Sequence, residues 1–98
     1  MTVEDFNQSL TDSRPPSGVA LPLAALWWDA KGDWERAHQC AQEDASGAGS
    51  WVHAYLHRKE GDASNAAYWH SRAGQPVCRK SLESEWLSIV RALLAEGR

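Results

Sequence analysis

Only two cysteines occur in the 98 residues, Cys40 and Cys78, and they form no CxxC pair. A disulfide scaffold is therefore not expected, and both residues read as thiols in a reducing compartment. An excess of charge of one sign is also missing. Ten Lys and Arg stand against thirteen Asp and Glu, a net charge of -3, so no long-range field draws in a polyanion and no nucleic-acid partner is expected. Arg58-Lys59 and Arg79-Lys80 are only pairs. Long apolar runs are lacking as well. The longest, Val19 to Trp28, is interrupted by Pro22 and falls short of the ~20 residues needed to span a bilayer, so no membrane partner is expected. Met1 to Asp5 are polar and acidic, unlike the start of a secretory signal, and the expected location is the cytoplasm. No phosphate-cradling glycine loop and no Rossmann fingerprint occurs, and the zinc-protease pattern fails because Ala54, not Glu, follows His53.

What remains is a hydrophobic content of 43% and six tryptophans. That is enough to bury a core in one domain of this length. The bulky rings serve either to fill a small helical core or to build a stacking surface, and their helical spacing favours the core.

The punctuation predicts an all-α chain. Residues 1–18 read as a lead, partly ordered or a short docking helix through Val3, Phe6 and Leu10. A single helical domain over 19–98 follows. Its first helix starts at Pro22, presents Leu23, Leu26, Trp27 and Ala30 on one face, and stops at Gly32. Asp33 caps a second helix running to about Ala45, with Trp34, Ala37, His38 and Ala41 on one side. Gly47 and Gly49 are expected to break the chain there. A third helix covers about Ser50 to Glu60 and ends at Gly61. Asp62 caps a fourth, carrying Ala66, Trp69 and Ala73, which Gly74 and Pro76 close. These give hairpins at about 20–46 and 50–74. A terminal helix at about 81–96, capped by Ser81, carries the cleanest apolar stripe: Leu82, Trp86, Ile89, Val90, Leu93 and Leu94. It is expected to seal the stack, or alternatively to form a homodimer.

A shift of 29 residues places Ala25 on Ala54, Gly32 on Gly61, Asp33 on Asp62 and Ala37 on Ala66. Each pair has a job: Gly ends a helix, Asp starts the next, and the alanines let facing helices approach. With Lys31-Gly32-Asp33-Trp34-Glu35-Arg36-Ala37 and its thinner copy from Glu60-Gly61-Asp62 to Ala66, the chain resembles the tetratricopeptide and Sel1-like helical repeats. Gly32, Trp34 and Ala25 match packing positions of those repeats; Ala63 stands where the second copy would carry an aromatic. The stretch 51–69 also resembles a group of small bacterial proteins without assigned function. The repeat resemblance implies two consecutive antiparallel hairpins with a capping terminal helix, and recognition of a peptide or partner protein on a concave surface.

The chemistry-bearing residues cluster in the second hairpin. His53, His57 and Glu60 lie at i, i+4 and i+7, within about 60° of one another around a helix. His70 is on the adjoining helix and is expected to approach them. Two imidazoles and a carboxylate suit zinc or a similar divalent ion, or general acid–base work. Equally, such histidines can pack on aromatic rings while bonded to a carboxylate. Asn65, Tyr68, Trp69 and His70 extend the same candidate groove. His38 and Cys40, two apart on a helix, diverge too far to share an ion, and Cys78 beside Arg79 and Lys80 is a weak candidate nucleophile. The leading expectation is a non-enzymatic protein- or peptide-binding module with no cofactor. The alternative is a small metal-binding or hydrolytic protein using His53, His57, Glu60 and His70.

Overall fold

A computed structural model of the chain describes residues 1–97; Arg98, the last residue of the domain expected over 19–98, lies outside the described residues. The fold is built from six helices: α1 (Val3–Ser9), α2 (Leu21–Ala30), α3 (Trp34–Glu43), α4 (Gly47–Lys59), α5 (Ala63–Ala73) and α6 (Leu82–Ala95). There is no sheet among the described residues, and the bundle measures 33 × 25 × 25 Å.

The two Gly-Asp turns coincide bond for bond. Gly32 and Gly61 both adopt φ +85, a left-handed conformation that side-chain-bearing residues resist. Asp33 N donates to Trp28 O at 2.9 Å, and Asp62 N donates to His57 O at 2.9 Å. Each Asp then accepts at Oδ1 from the backbone N–H three residues on, Arg36 at 3.1 Å and Asn65 at 3.2 Å. α2 packs against α3, and α4 against α5.

The connection between α3 and α4 departs from expectation. Gly47 and Gly49 lie inside the first turn of α4, and the break falls earlier, at Asp44 to Ser46. Ser46 caps α4 by accepting from Gly49 N. Gly49 is required by packing: a Cβ there would sit 2.3 Å from Asp44 O. The glycine lets the loop backbone lie directly on the new helix.

α4 touches α2, α3, α5 and α6. Its Val52 and Leu56 join Leu23, Leu26, Trp27, Ile89, Val90 and Leu93 in the core. The terminal stripe faces the same way, with Leu82, Trp86 and Leu94 half-buried around it. α1 contributes Phe6, fully buried and with its ring centroid 6.0 Å from that of Trp86. The Trp27 and Trp86 indoles donate across helix boundaries to Ser9 Oγ and Leu26 O, both at 3.0 Å. Most of the tryptophan surplus is thus spent on packing.

Two buried carboxylates tie α4 to its neighbours. Asp29 of α2 accepts from the Tyr55 hydroxyl at 2.9 Å and from Lys59 Nζ at 2.8 Å. Glu85 of α6 accepts from Arg58 at 2.8 Å and pairs with His70 Nε2 at 2.8 Å. Both carboxylates are 3% exposed, where an unpaired charge would be costly. No helix among the described residues is long and apolar enough to cross a membrane.

The glycine geometry gives a paired expectation. Gly49→Ala must displace the Asp44 carbonyl and should cost roughly 1–3 kcal/mol, as overpacking does. Gly47→Ala meets its nearest atom at an ordinary 3.7 Å and should be neutral or raise stability by a few tenths of a kcal/mol, from helix propensity. Urea melts of the two variants should move in opposite directions, or the second should not move; equal losses would contradict the packing role.

Candidate metal centre

Asp33 starts α3 with its cap, so one turn later His38 comes to face α4. His53 and His57 stand one turn apart on α4 and lean on each other, ring centroids 4.8 Å apart and planes at 17°. Trp69 of α5 covers the other face of His53 at 4.0 Å and 22°. Trp34 stacks on His38 at 4.9 Å and 15°, and its indole is anchored to Leu56 O at 3.2 Å. Three imidazoles from two helices are thereby clamped between two indoles.

His38 Nε2 and His53 Nε2 are 2.8 Å apart. Two nitrogens at that distance share one proton, so one ring donates and the other offers its lone pair; neither ring need be charged. The surroundings enforce this. Burial pushes His53 down to about 4, with His38 and His57 adding to the effect, and burial also lowers His38. His57 Nδ1 lies 2.6 Å from Glu60 Oε1, and its side chain is 12% exposed.

Each of His38, His53 and His57 offers a ligand nitrogen, and these nitrogens lie within 4.8 Å of one another. A tetrahedral ion with metal–nitrogen bonds of 2.0–2.1 Å needs its ligand nitrogens about 3.3 Å apart. The closest pair must open by about half an ångström and the widest must close by at most about 1.5 Å, which side-chain rotation can supply. With Nδ1 committed to Glu60, Nε2 is the coordinating atom left to His57, the arrangement in which a carboxylate orients a ligating imidazole. A second set, His57, Glu60 and Asp62, also has its ligand atoms within 4.8 Å. The histidine and carboxylate groups needed to hold a cation are therefore present together.

Other expected site residues are placed elsewhere. His70 does not join His53 and His57: it is fully buried and bonded to Glu85 of α6, with Nδ1 unpartnered. A buried carboxylate on α6, already paired with Arg58, captures it. Asn65 is exposed and bonds Asp62 through its own amide at 2.7 Å. Tyr68 is 53% exposed and accepts at its hydroxyl from Arg72 at 3.1 Å. Cys40 and Cys78 are both free and half-buried, and burial raises the Cys40 thiol. His38 is the residue that sequence reasoning left out. Its signal was its place beside Trp34, Ala37 and Ala41 on the packed side of α3, which aims it across the helix boundary; comparing it only with Cys40 hid this.

Comparison with known proteins gives no match to a family model, a curated protein or a solved structure.

The lowered His53 has a direct consequence. Its folded value, about 4, lies below the ordinary 6.5, so the unfolded chain binds its proton first. The contribution is fully present above pH 6.5 and is lost as pH falls towards 4, on the order of 3 kcal/mol in all. His53→Phe keeps a ring between His57 and Trp69 and removes the titration. Thermal melts from pH 7 to pH 4 should therefore fall less steeply for His53→Phe than for the wild type; parallel curves would contradict the burial of a neutral imidazole.

Proposed function

We propose that this protein binds a borderline divalent transition ion, zinc or one of similar preference, through His38, His53 and His57, with Glu60 orienting His57. The observation that carries the reading is the convergence of three imidazole nitrogens from α3 and α4 within 4.8 Å. An all-imidazole set favours zinc, copper or nickel over magnesium and calcium, which take oxygen ligands. Neutral His38 and His53 suit the role, since the Nε2 proton they share has only to move to an Nδ1 and not to be lost before the ion binds. Three protein ligands leave one coordination position for an outside molecule, as in open zinc sites. His53 also borders a cleft of about 190 Å³ lined by Ser50, Trp69 and Arg72.

A second reading is favoured by the matched Gly32-Asp33 and Gly61-Asp62 turns. In it, α2/α3 and α4/α5 are two tetratricopeptide-like hairpins, α6 is their cap, and the module docks a peptide or partner protein. Its contact surface would be the exposed Tyr68 and Asn65 with the rim of Trp69, because His53 lies behind that indole. Two free thiols suit a reducing compartment, and the cytoplasm is the location assigned under either reading.

The metal reading is tested on protein purified without an affinity tag. Elemental analysis should find a transition metal, and zinc at about a hundredfold over Kd should stabilise the fold by ~2.7 kcal/mol, raising Tm by roughly 11–22 °C in a domain of this size. His38→Gln and His57→Gln should each abolish most of that rise. No bound metal, together with a Tm unmoved by zinc, would sink the reading.

A further inference from the structure

Two ligand sets on this protein share one side chain. His57 groups with His38 and His53 on one side and with Glu60 and Asp62 on the other. The sets differ in kind. The inner one is three imidazoles held between Trp34 and Trp69. The outer one adds two carboxylates at the turn between α4 and α5, where the Glu60 side chain is 39% exposed. A neutral imidazole has one N–H and one lone pair, so it serves one ion at a time. His57 Nδ1 is the nitrogen beside Glu60, at 2.6 Å, which leaves Nε2 for the inner set.

Resting on the inner site as a metal centre, we infer that His57, Glu60 and Asp62 form a loading position for the same ion. The ion is captured there first and then passes to His38 and His53, with His57 changing from an Nδ1 to an Nε2 ligand. The carboxylates supply the negative charge that steers a cation from solvent. Asp62 accepts from the Asn65 backbone and side chain at 3.2 and 2.7 Å, which fixes its carboxylate at the turn. The inner set has no carboxylate, but its imidazole nitrogens hold a borderline ion better than carboxylate oxygens do. The proton balance closes without net release. At the outer stage His57 carries its proton on Nε2; at the inner stage the proton is on Nδ1 and donates to Glu60, having exchanged through water. Occupancy is therefore exclusive, one ion per chain.

The test uses the untagged full chain and cobalt(II), whose visible absorption reports its ligand set, in stopped flow. Wild type should show a fast phase, dependent on cobalt concentration and slowed by salt. A second phase, independent of concentration, should then lead to the final spectrum at one ion per chain. The variant Asp62→Asn leaves Glu60 and the inner set untouched and retains a capping residue at 62. It should reach the same final spectrum and stoichiometry, with uptake slowed several-fold and a weaker salt dependence. Uptake at the wild-type rate, or two ions per chain, would overturn the loading position. So would a change confined to the dissociation rate, which would leave Asp62 solely the cap of α5. Failure of wild type to bind cobalt at all would overturn the metal centre itself, and this inference with it.

Discussion

The fold depends on α4 being packed on four sides. A helix with one neighbour can keep its polar residues in water, but α4 meets α2, α3, α5 and α6, so most directions around it are interior. Its polar side chains must find partners on other helices or lose hydration without compensation. They do so in order along the helix: His53 on His38, Tyr55 and Lys59 on Asp29, Arg58 on Glu85. Each bond also fixes the rotation of α4 against one neighbour. Apolar contact alone tolerates sliding, whereas a buried carboxylate held by two directional partners does not.

That arrangement separates what was legible in the sequence from what was not. Turn chemistry is local, and Gly32, Asp33, Gly61, Asp62, Ser81 and Gly74 act as their types dictate. The apolar stripe of α6 is likewise a property of one segment. By contrast, α4 has apolar and polar residues around its whole circumference, so periodicity gives no face to read. His53, His57 and Glu60 form a stripe, but a stripe on a central helix says nothing about which neighbour lies over it. α3 and α5 lie over this one, and the third imidazole came from α3. His70 followed the same logic in reverse: only a carboxylate 15 residues away, on α6, explains its direction. Gly49 was misread because glycine signals either a turn or a close approach, and Asp44 decides between them.

The polar interior is not uniform in its electrostatics. Asp29 is matched by Lys59 and Glu85 by Arg58, each carboxylate facing a cation. These are self-contained units whose removal on one side would strand a charge. The histidine cluster has no such closure. His38 and His53 face one another and His57, three groups of the same type, and the carboxylates beside them, Glu60 and Asp62, stand at the outer edge next to His57.

A cluster of that composition stays unbalanced by itself. Protonating His53 is opposed by burial and by both neighbouring rings, so that ring stays neutral near neutral pH. One proton lies between the His38 and His53 Nε2 atoms, 2.8 Å apart. On the proposed reading a single metal ion would supply positive charge in one place among the three rings, where three separate protons would repel one another. The same burial that weakens the cluster as a base leaves its nitrogens available as ligands. That asymmetry between proton and metal distinguishes these three rings from the salt bridges that hold the rest of the interior.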